Sequence, residues 1–164
     1  MTASTAGAVC KPVIVAAPLA IAFEVFTAQI EAWWPMVSHH IGDADCQAVV
    51  IEPRAGGRWY ERGVDGVECV WGQVLLWEPP RHVVLLWQLS AQFRFDPTIK
   101  TEVDVRFAVI DDHTTRVELE DRSLEAYGAD APAMHETFNS PQGWNGILDD
   151  YAVVTARLAA ERAA

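Results

Sequence analysis

The clearest alternation of apolar and polar positions lies in the second half of the chain, between residues 102 and 120. Charged residues separate its apolar positions, which are Val103, Val105, Phe107, Val109, Val117 and Leu119. A period of two places successive side chains on opposite faces of a strand. Because Asp111-Asp112-His113 divides the run, the pattern predicts a β-hairpin with these residues inside. Glu102, Asp104, Arg106 and Ala108 are expected on the solvent face of the first strand, and Arg116, Glu118 and Glu120 on that of the second.

Shorter β-branched and aromatic runs predict further strands earlier in the chain. They lie at residues 13–15, 48–51, 58–62, 67–77 and 83–89. The Gly-Val-Asp-Gly segment 63–66 predicts a hairpin turn, because Asp-Gly tolerates positive φ. Pro79-Pro80 predicts the end of a strand, since proline cannot donate a hydrogen bond to the ladder.

Two segments have the three-to-four-residue spacing of an amphipathic helix. The first begins at Pro18 and carries Leu19, Phe23, Phe26 and Ile30 on one face. The second is expected to start at Ser140-Pro141, and its apolar face comprises Trp144, Leu148, Tyr151, Thr155 and Leu158. Between Ser123 and Gln142 no period is visible, and we interpret this stretch as a long loop or a lid carrying Met134, His135 and Phe138.

This order of elements predicts an α+β fold in a single domain. A strand and a helix precede about six antiparallel strands and a long C-terminal helix. A curved sheet with one polar face must bury its apolar face, and the C-terminal helix is the expected cover. We assign residues 11–164 to this domain and residues 1–10 to a flexible N-terminal segment.

Composition and charge narrow the classes of partner. The chain is 51% hydrophobic and 21% charged, as in globular proteins, and its net charge of −11 disfavours nucleic acid and anionic membranes as partners.

Cys10, Cys46 and Cys69 are widely spaced, as expected for reduced thiols in a cytoplasmic protein. No run approaches the roughly 18 apolar residues of a membrane span. A homodimer is plausible, but no pattern decides it.

Several short motifs, taken in order, resemble one protein family. They are Pro53-Arg54-Ala55-Gly56-Gly57-Arg58-Trp59-Tyr60-Glu61, Trp71-Gly72-Gln73-Val74, Glu78-Pro79-Pro80-Arg81 before Trp87, and the late Gly143-Trp144. From about Val13 to Leu158 the chain resembles the SRPBCC (START-like) superfamily, in the branch of the activators of the Hsp90 ATPase (AHSA-type). The resemblance implies a helix-grip fold, in which a curved antiparallel sheet wraps around a long C-terminal helix. It also implies a deep cavity between sheet and helix, used across the superfamily for apolar ligands.

The tryptophans are the main candidates for a ligand site, because small-molecule sites are mostly apolar with a few placed polar groups. We expect the cavity to be lined by Trp59, Trp71, Trp87, Trp144, Leu148 and Tyr151, with Glu61 as a polar anchor. The alternative is that these rings only form the core. The expected function is binding of a small apolar or aromatic molecule by a carrier or sensor, without catalytic residues, metal or cofactor.

Two other functions remain open. A cyclase or hydrolase would need an inward-facing acid, for which Glu61 or Glu68 is the candidate, although strand carboxylates usually face solvent or pair with arginine. An interaction protein, such as a stress-related cochaperone-like factor, would expose an apolar patch. We interpret His39-His40 as part of a solvated loop near the cavity mouth and not as a metal site, since successive extended side chains diverge.

Overall fold

The computed structural model describes residues 7–163, in which seven strands form one antiparallel sheet in the order β1-β7-β6-β5-β4-β3-β2. The strands are β1 Val9–Val15, β2 Cys46–Ile51, β3 Arg58–Gly63, β4 Glu68–Glu78, β5 His82–Trp87, β6 Thr101–Asp111 and β7 Thr114–Arg122. The α-helices are α1 Leu19–Thr27, α2 Ala131–Phe138 and α3 Trp144–Ala163, and two 3-10 helices span Ile30–Ala32 and Leu124–Asp130. The predicted α+β helix-grip fold is confirmed.

Irregular pairing curls the sheet around α3. The register shifts between β2 and β3, between β3 and β4, and between β4 and β5, and such bulges bend a strand and increase its twist. Gly72 of β4 lies opposite Trp87 of β5, and a Cβ at Gly72 would collide with the carbonyl oxygen of Leu86. Only glycine therefore allows this close approach of the two strands.

The β6–β7 hairpin is confirmed, with Val105 opposite Leu119 and Phe107 opposite Val117. Two details of its pattern were wrong. Val109 is 52% exposed, because it lies at the irregular end of the hairpin beyond the cover of the helices.

Asp104 was expected in solvent but is only 3% exposed. Its carboxylate lies on the outer face beneath two arginines and a histidine, Arg122 (2.7 Å), His82 (2.8 Å) and Arg106 (3.2 Å).

The N-terminal elements differ in their bounds from the prediction. Val9 and Cys10, assigned to the flexible segment, belong to β1, because β7 is long enough to pair with them at Asp121 and Glu120. Residues 1–6 of that segment lie outside the described residues. The first helix ends at Thr27, and Ile30 starts a separate 3-10 turn while staying buried.

The stretch 123–142, predicted to be a loop or lid, is largely helical. It contains the second 3-10 helix and α2, and Met134 and Phe138 lie four residues apart on the buried face of α2. The C-terminal helix begins at Trp144 and not at Ser140, because residues 140–143 form a turn in which the Gly143 N–H donates to the Ser140 carbonyl oxygen at 2.9 Å.

Side chains fill the middle of the space between sheet and α3. The Tyr151 ring of α3 packs against Phe26 at 5.3 Å and Trp33 at 5.2 Å between centroids. Its hydroxyl donates to the Ala22 carbonyl oxygen at 2.6 Å, which fixes α3 to α1. Open space is therefore left at one end of the helix. Among residues 7–163 no helix combines the length and apolar character that crossing a bilayer requires.

Candidate functional site

A cavity of about 340 Å³ opens at the N-terminal end of α3. Its walls come from the loop after the first 3-10 helix, from β4 and β5, from the segment after β5, and from the end of α2 with the start of α3. The lining side chains are mainly aromatic and aliphatic: Trp34, Ile41, Trp71, Trp87, Leu89, Phe93, Phe138, Trp144 and Ile147. Polar groups come from Ser38, His39, His40, Thr137 and Gln142. We call this cavity the indole pocket.

The four tryptophans of the pocket belong to one connected set of indole rings. Trp34 lies 5.2 Å from Trp71 and 5.9 Å from Trp144 between ring centroids, and Trp71 lies 6.0 Å from Trp87. The planes are tilted or edge-on, the arrangements that aromatic quadrupoles favour. A planar ligand entering the pocket therefore meets both ring faces and ring edges.

Of the seven predicted site residues, the structure brings Trp71, Trp87 and Trp144 to the pocket. The other four were expected on its wall, but Trp59, Glu61, Leu148 and Tyr151 are not among the lining residues and lie in the packed core beside it. The reason is that Phe26, Trp33 and Tyr151 occupy the centre of the sheet-helix space. Ligand contact by the three lining tryptophans stays a prediction.

The sequence pattern did not single out several residues that form the pocket. Trp34 closes it from the loop side, and its indole N–H donates to the His39 carbonyl oxygen at 3.0 Å. Phe138 was placed in a lid but is a fixed part of the wall, 5.9 Å from the Trp87 ring. Phe93 sits at the rim with a backbone φ of 57°, a region that bulky residues rarely adopt and that is often found at functional sites.

Glu61 holds the loop that forms one side of the pocket. Its Oε1 accepts hydrogen bonds from the Ile41 N–H (2.6 Å) and the Trp71 indole N–H (2.8 Å), and its Oε2 accepts from the Gly42 N–H (3.0 Å). Of the two orientations that the sequence left open for Glu61, toward the cavity or toward solvent, the structure shows an inward carboxylate, which these three donors satisfy. Glu68, the other candidate acid, is exposed and pairs with Arg58 at 2.9 Å. Neither carboxylate lines the pocket.

A histidine at the mouth links the two sides of the pocket. The Gln142 carbonyl oxygen can only accept, so His39 donates to it through Nε2 at 2.7 Å. In the neutral ring Nδ1 is then the acceptor for the Ser38 hydroxyl, also at 2.7 Å. His39 therefore joins the loop to the turn before α3, near the cavity mouth where the sequence pattern placed it.

The indole N–H groups of the pocket differ in their partners. The Trp144 N–H donates to Oδ2 of Asp121 at 2.9 Å. The Trp87 N–H is buried without a hydrogen-bond partner, although it lies near the Tyr127 hydroxyl, which itself donates to the Leu89 carbonyl oxygen at 2.8 Å.

Asp121 is the group with the most perturbed acid–base chemistry near the pocket. It is 1% exposed, and its Oδ1 has no hydrogen-bond partner. Burial raises the pKa of Asp121 to about 7, and the hydrogen bond from Trp144 offsets this only in part. Burial, followed by the Asp121 charge, raises the pKa of the Tyr127 hydroxyl above its usual range.

A glycine sets the position of Trp144. A Cβ at Gly143 would collide with the carbonyl oxygens of Thr137 and Phe138, so glycine lets the start of α3 lie directly against the end of α2. This contact brings Trp144 and Phe138 into the same wall of the pocket.

A curled antiparallel sheet around a long C-terminal helix, with a pocket at the start of that helix, defines a helix-grip protein. The chain belongs to the family of activator of Hsp90 ATPase homolog 1-like proteins, whose sequence profile matches residues 16–153. No curated protein among those compared matches the chain significantly.

Solved structures place this chain among proteins of several kinds. It is 34% identical to an anthrahydroquino-gamma-pyrone synthase, Txn09, over 90% of this chain and 96% of that chain, with a TM-score of 0.64. It is 25% identical to the self-sacrificing resistance protein CalC of Micromonospora echinospora, over 96% and 99% of the two chains, with a TM-score of 0.68. Protein NE0264 of Nitrosomonas europaea shares the fold at 13% identity, with coverage of 96% and 99% and a TM-score of 0.68.

Proposed function

We propose that this protein binds a small planar aromatic molecule in the indole pocket and acts as its carrier or sensor. The observation that carries the proposal is the grouping of four indoles, Trp34, Trp71, Trp87 and Trp144, around one open cavity. Aromatic walls with a few polar groups are typical of small-molecule sites. The similarity to a synthase named for a fused-ring product supports an aromatic ligand.

The size and rim of the pocket favour a particular kind of ligand. Its volume of about 340 Å³ lies near the lower end of the roughly 300–1,000 Å³ of small-molecule sites, which suits two or three rings better than a sterol. The polar groups of Ser38 and Gln142 on the lining favour a ligand that carries carbonyl or hydroxyl oxygens. An aromatic ketone such as flavone has this chemistry.

The proposal is tested by isothermal titration with flavone, a fatty acid and a sterol. We expect saturable binding of flavone and little heat from the other two. Trp87→Phe should weaken flavone binding about tenfold, because it removes part of the ring area that lines the pocket. Trp77→Phe is the matched control, since Trp77 packs on Phe23 at 5.2 Å, outside the lining. Absence of flavone binding, or equal losses in both variants, would refute the proposal.

A second candidate function is catalysis on such a ligand, and the His39 imidazole on the pocket lining favours it. The neutral ring holds its acceptor nitrogen, Nδ1, against the Ser38 hydroxyl, an arrangement suited to proton transfer. Hydroxyaryl ketones incubated with the protein and followed by mass spectrometry would reveal turnover. His39→Gln should reduce turnover far more than it weakens binding, to which His39 contributes as a lining residue, while His113→Gln, in the exposed β6–β7 turn, should leave both unchanged. Turnover that persists in the His39→Gln variant would contradict a catalytic role of His39.

A further inference from the structure

Asp121 lies directly behind one wall of the indole pocket. Its Oδ2 accepts the hydrogen bond from Trp144, whose ring lines the pocket, and its Oδ1 is buried without a partner. An ionised carboxylate in such a place has lost most of its hydration, and a single indole N–H replaces only part of it. The charge of Asp121 is therefore sensitive to any change in solvent access on the other side of Trp144.

The groups around Asp121 do not neutralise its charge. Val103 of β6 and Val9 of β1 lie opposite it, and the titratable group that faces it is the Tyr127 hydroxyl. Lys11 lies two residues from Val9 on β1, but its ammonium pairs with Asp149 of α3 at 3.2 Å. The charged residues next to these positions along the strands lie on the outer face of the sheet: Glu102 and Asp104 of β6, and Glu120 and Arg122 of β7.

We propose that Asp121 takes up a proton when a ligand fills the indole pocket, and so regulates ligand affinity through Trp144; this rests on the proposed function. An apolar ligand displaces water from the exposed side of the Trp144 ring and moves bulk solvent farther from the carboxylate. The charged form becomes less favourable, and the proton is bound more tightly. Because linkage is reciprocal, the ligand binds more tightly to the protonated protein.

The sign and size of the effect follow from this coupling. Asp121 is half protonated near neutral pH, so affinity for a neutral ligand is highest in mild acid and falls as pH rises through about 7. A ligand-induced rise of the Asp121 pKa from about 7 to about 8 corresponds to a roughly eightfold fall in affinity between about pH 5.5 and 8.5, and the tenfold limit is approached above about pH 9. Flavone has no titratable group in this range, so its own charge does not contribute.

The experiment is isothermal titration of flavone across this pH range, repeated near pH 7 in two buffers of different ionisation enthalpy. We expect the wild type to show the fall in affinity and net proton uptake on binding. Asp121→Asn retains an oxygen for the Trp144 N–H and cannot ionise, so its affinity should stay near the acid value of the wild type without that proton uptake. It retains His39 and His40, so any pH dependence that they cause survives in this variant.

The outcomes separate this inference from the proposed function. Flavone binding with pH-independent affinity and no linked proton overturns the role of Asp121 and leaves the pocket as the binding site. No flavone binding at any pH overturns both proposals. If Asp121→Asn does not fold, Trp144→Phe takes its place. It removes the hydrogen bond between carboxyl and pocket, and an unchanged linked proton in that variant would overturn the coupling through Trp144.

Discussion

Replacing Glu61 with glutamine should destabilise the protein by about 3 kcal/mol. Glutamine has one accepting oxygen in place of two. In the more favourable orientation of the side-chain amide, this oxygen keeps the hydrogen bonds from Ile41 and Trp71, and the amide N–H then faces the Gly42 N–H. One charge-assisted hydrogen bond, worth about 1.5–3 kcal/mol, is then lost, and the unpaired buried donor adds about 1–3 kcal/mol. Because such terms are not additive, the expected loss of about 3 kcal/mol lies in the lower part of the summed range.

Urea denaturation followed by circular dichroism measures this loss. With a slope of about 2 kcal/mol per molar, the midpoint should fall by about 1.5 M. Glu68→Gln is the matched control, because Glu68 lies on the adjacent strand, is exposed, and pairs only with Arg58. Its effect should stay below about 1 kcal/mol. A Glu61→Gln protein as stable as Glu68→Gln would show that the charge of Glu61 does not hold the loop.

Three further substitutions test other contacts. Burial raises the pKa of Asp104, but the hydrogen bonds from Arg122, Arg106 and His82 have a larger effect, so the pKa is lowered overall. The stability that this pairing contributes is therefore present above about pH 4 and is lost as pH falls. Asp104→Asn should lower the free energy of unfolding by about 3 kcal/mol at neutral pH, and its urea midpoint should depend less on acid pH than that of the wild type. Urea midpoints of variant and wild type that fall in parallel as pH is lowered would contradict this. Tyr151→Phe should cost about 1 kcal/mol by removing the hydrogen bond to the Ala22 carbonyl oxygen, and an unchanged melting temperature would exclude this. Gly143→Ala should displace Trp144 and weaken flavone binding about tenfold in calorimetry, whereas an unchanged affinity would mean that the helix start can adjust.

The hairpin and the C-terminal helix could be predicted because their patterns are long and locally consistent. The alternation in β6 reappears in β7, and the apolar face of α3 repeats over several turns at Leu148, Tyr151 and Thr155. The helical stretch 124–138 could not be predicted as readily. Its α-helix has eight residues, and Gly128 interrupts the helical geometry before it, so no period is long enough to recognise.

The inward direction of Glu61 and Asp121 has a signal in the sequence pattern. Glu61 is two residues from Trp59, and Asp121 is two residues from Leu119, so strict alternation places both side chains on the buried face. For Glu61 the general preference of carboxylates for solvent favours the opposite direction. What stabilises Glu61 inside, the N–H groups of Ile41 and Gly42, comes from a loop about 20 residues away in sequence. Such long-range partners are not visible in a local pattern.

The position of the pocket depends on how the core is filled, which the pattern along the chain does not contain. Alternation and helical period identify the faces that turn inward, but not which inward side chains meet in the centre. Tyr151, Phe26 and Trp33 fill that centre. The open volume therefore moves to the end of α3, where Trp34 and Phe138 replace Trp59 and Tyr151 in its wall.

The connected indole rings also have an optical consequence. Trp33, which lies 6.1 Å from Trp34, and Trp59, which lies 5.4 Å from both Trp71 and Trp87, extend the set behind the pocket. At such separations electronic excitation passes between indoles before it is emitted, and their transitions couple into paired circular dichroism bands of opposite sign. A chromophore bound at the mouth would thus quench buried tryptophans that it never touches. Emission from the connected rings would then report the occupancy of the pocket as a whole, and not the environment of one ring.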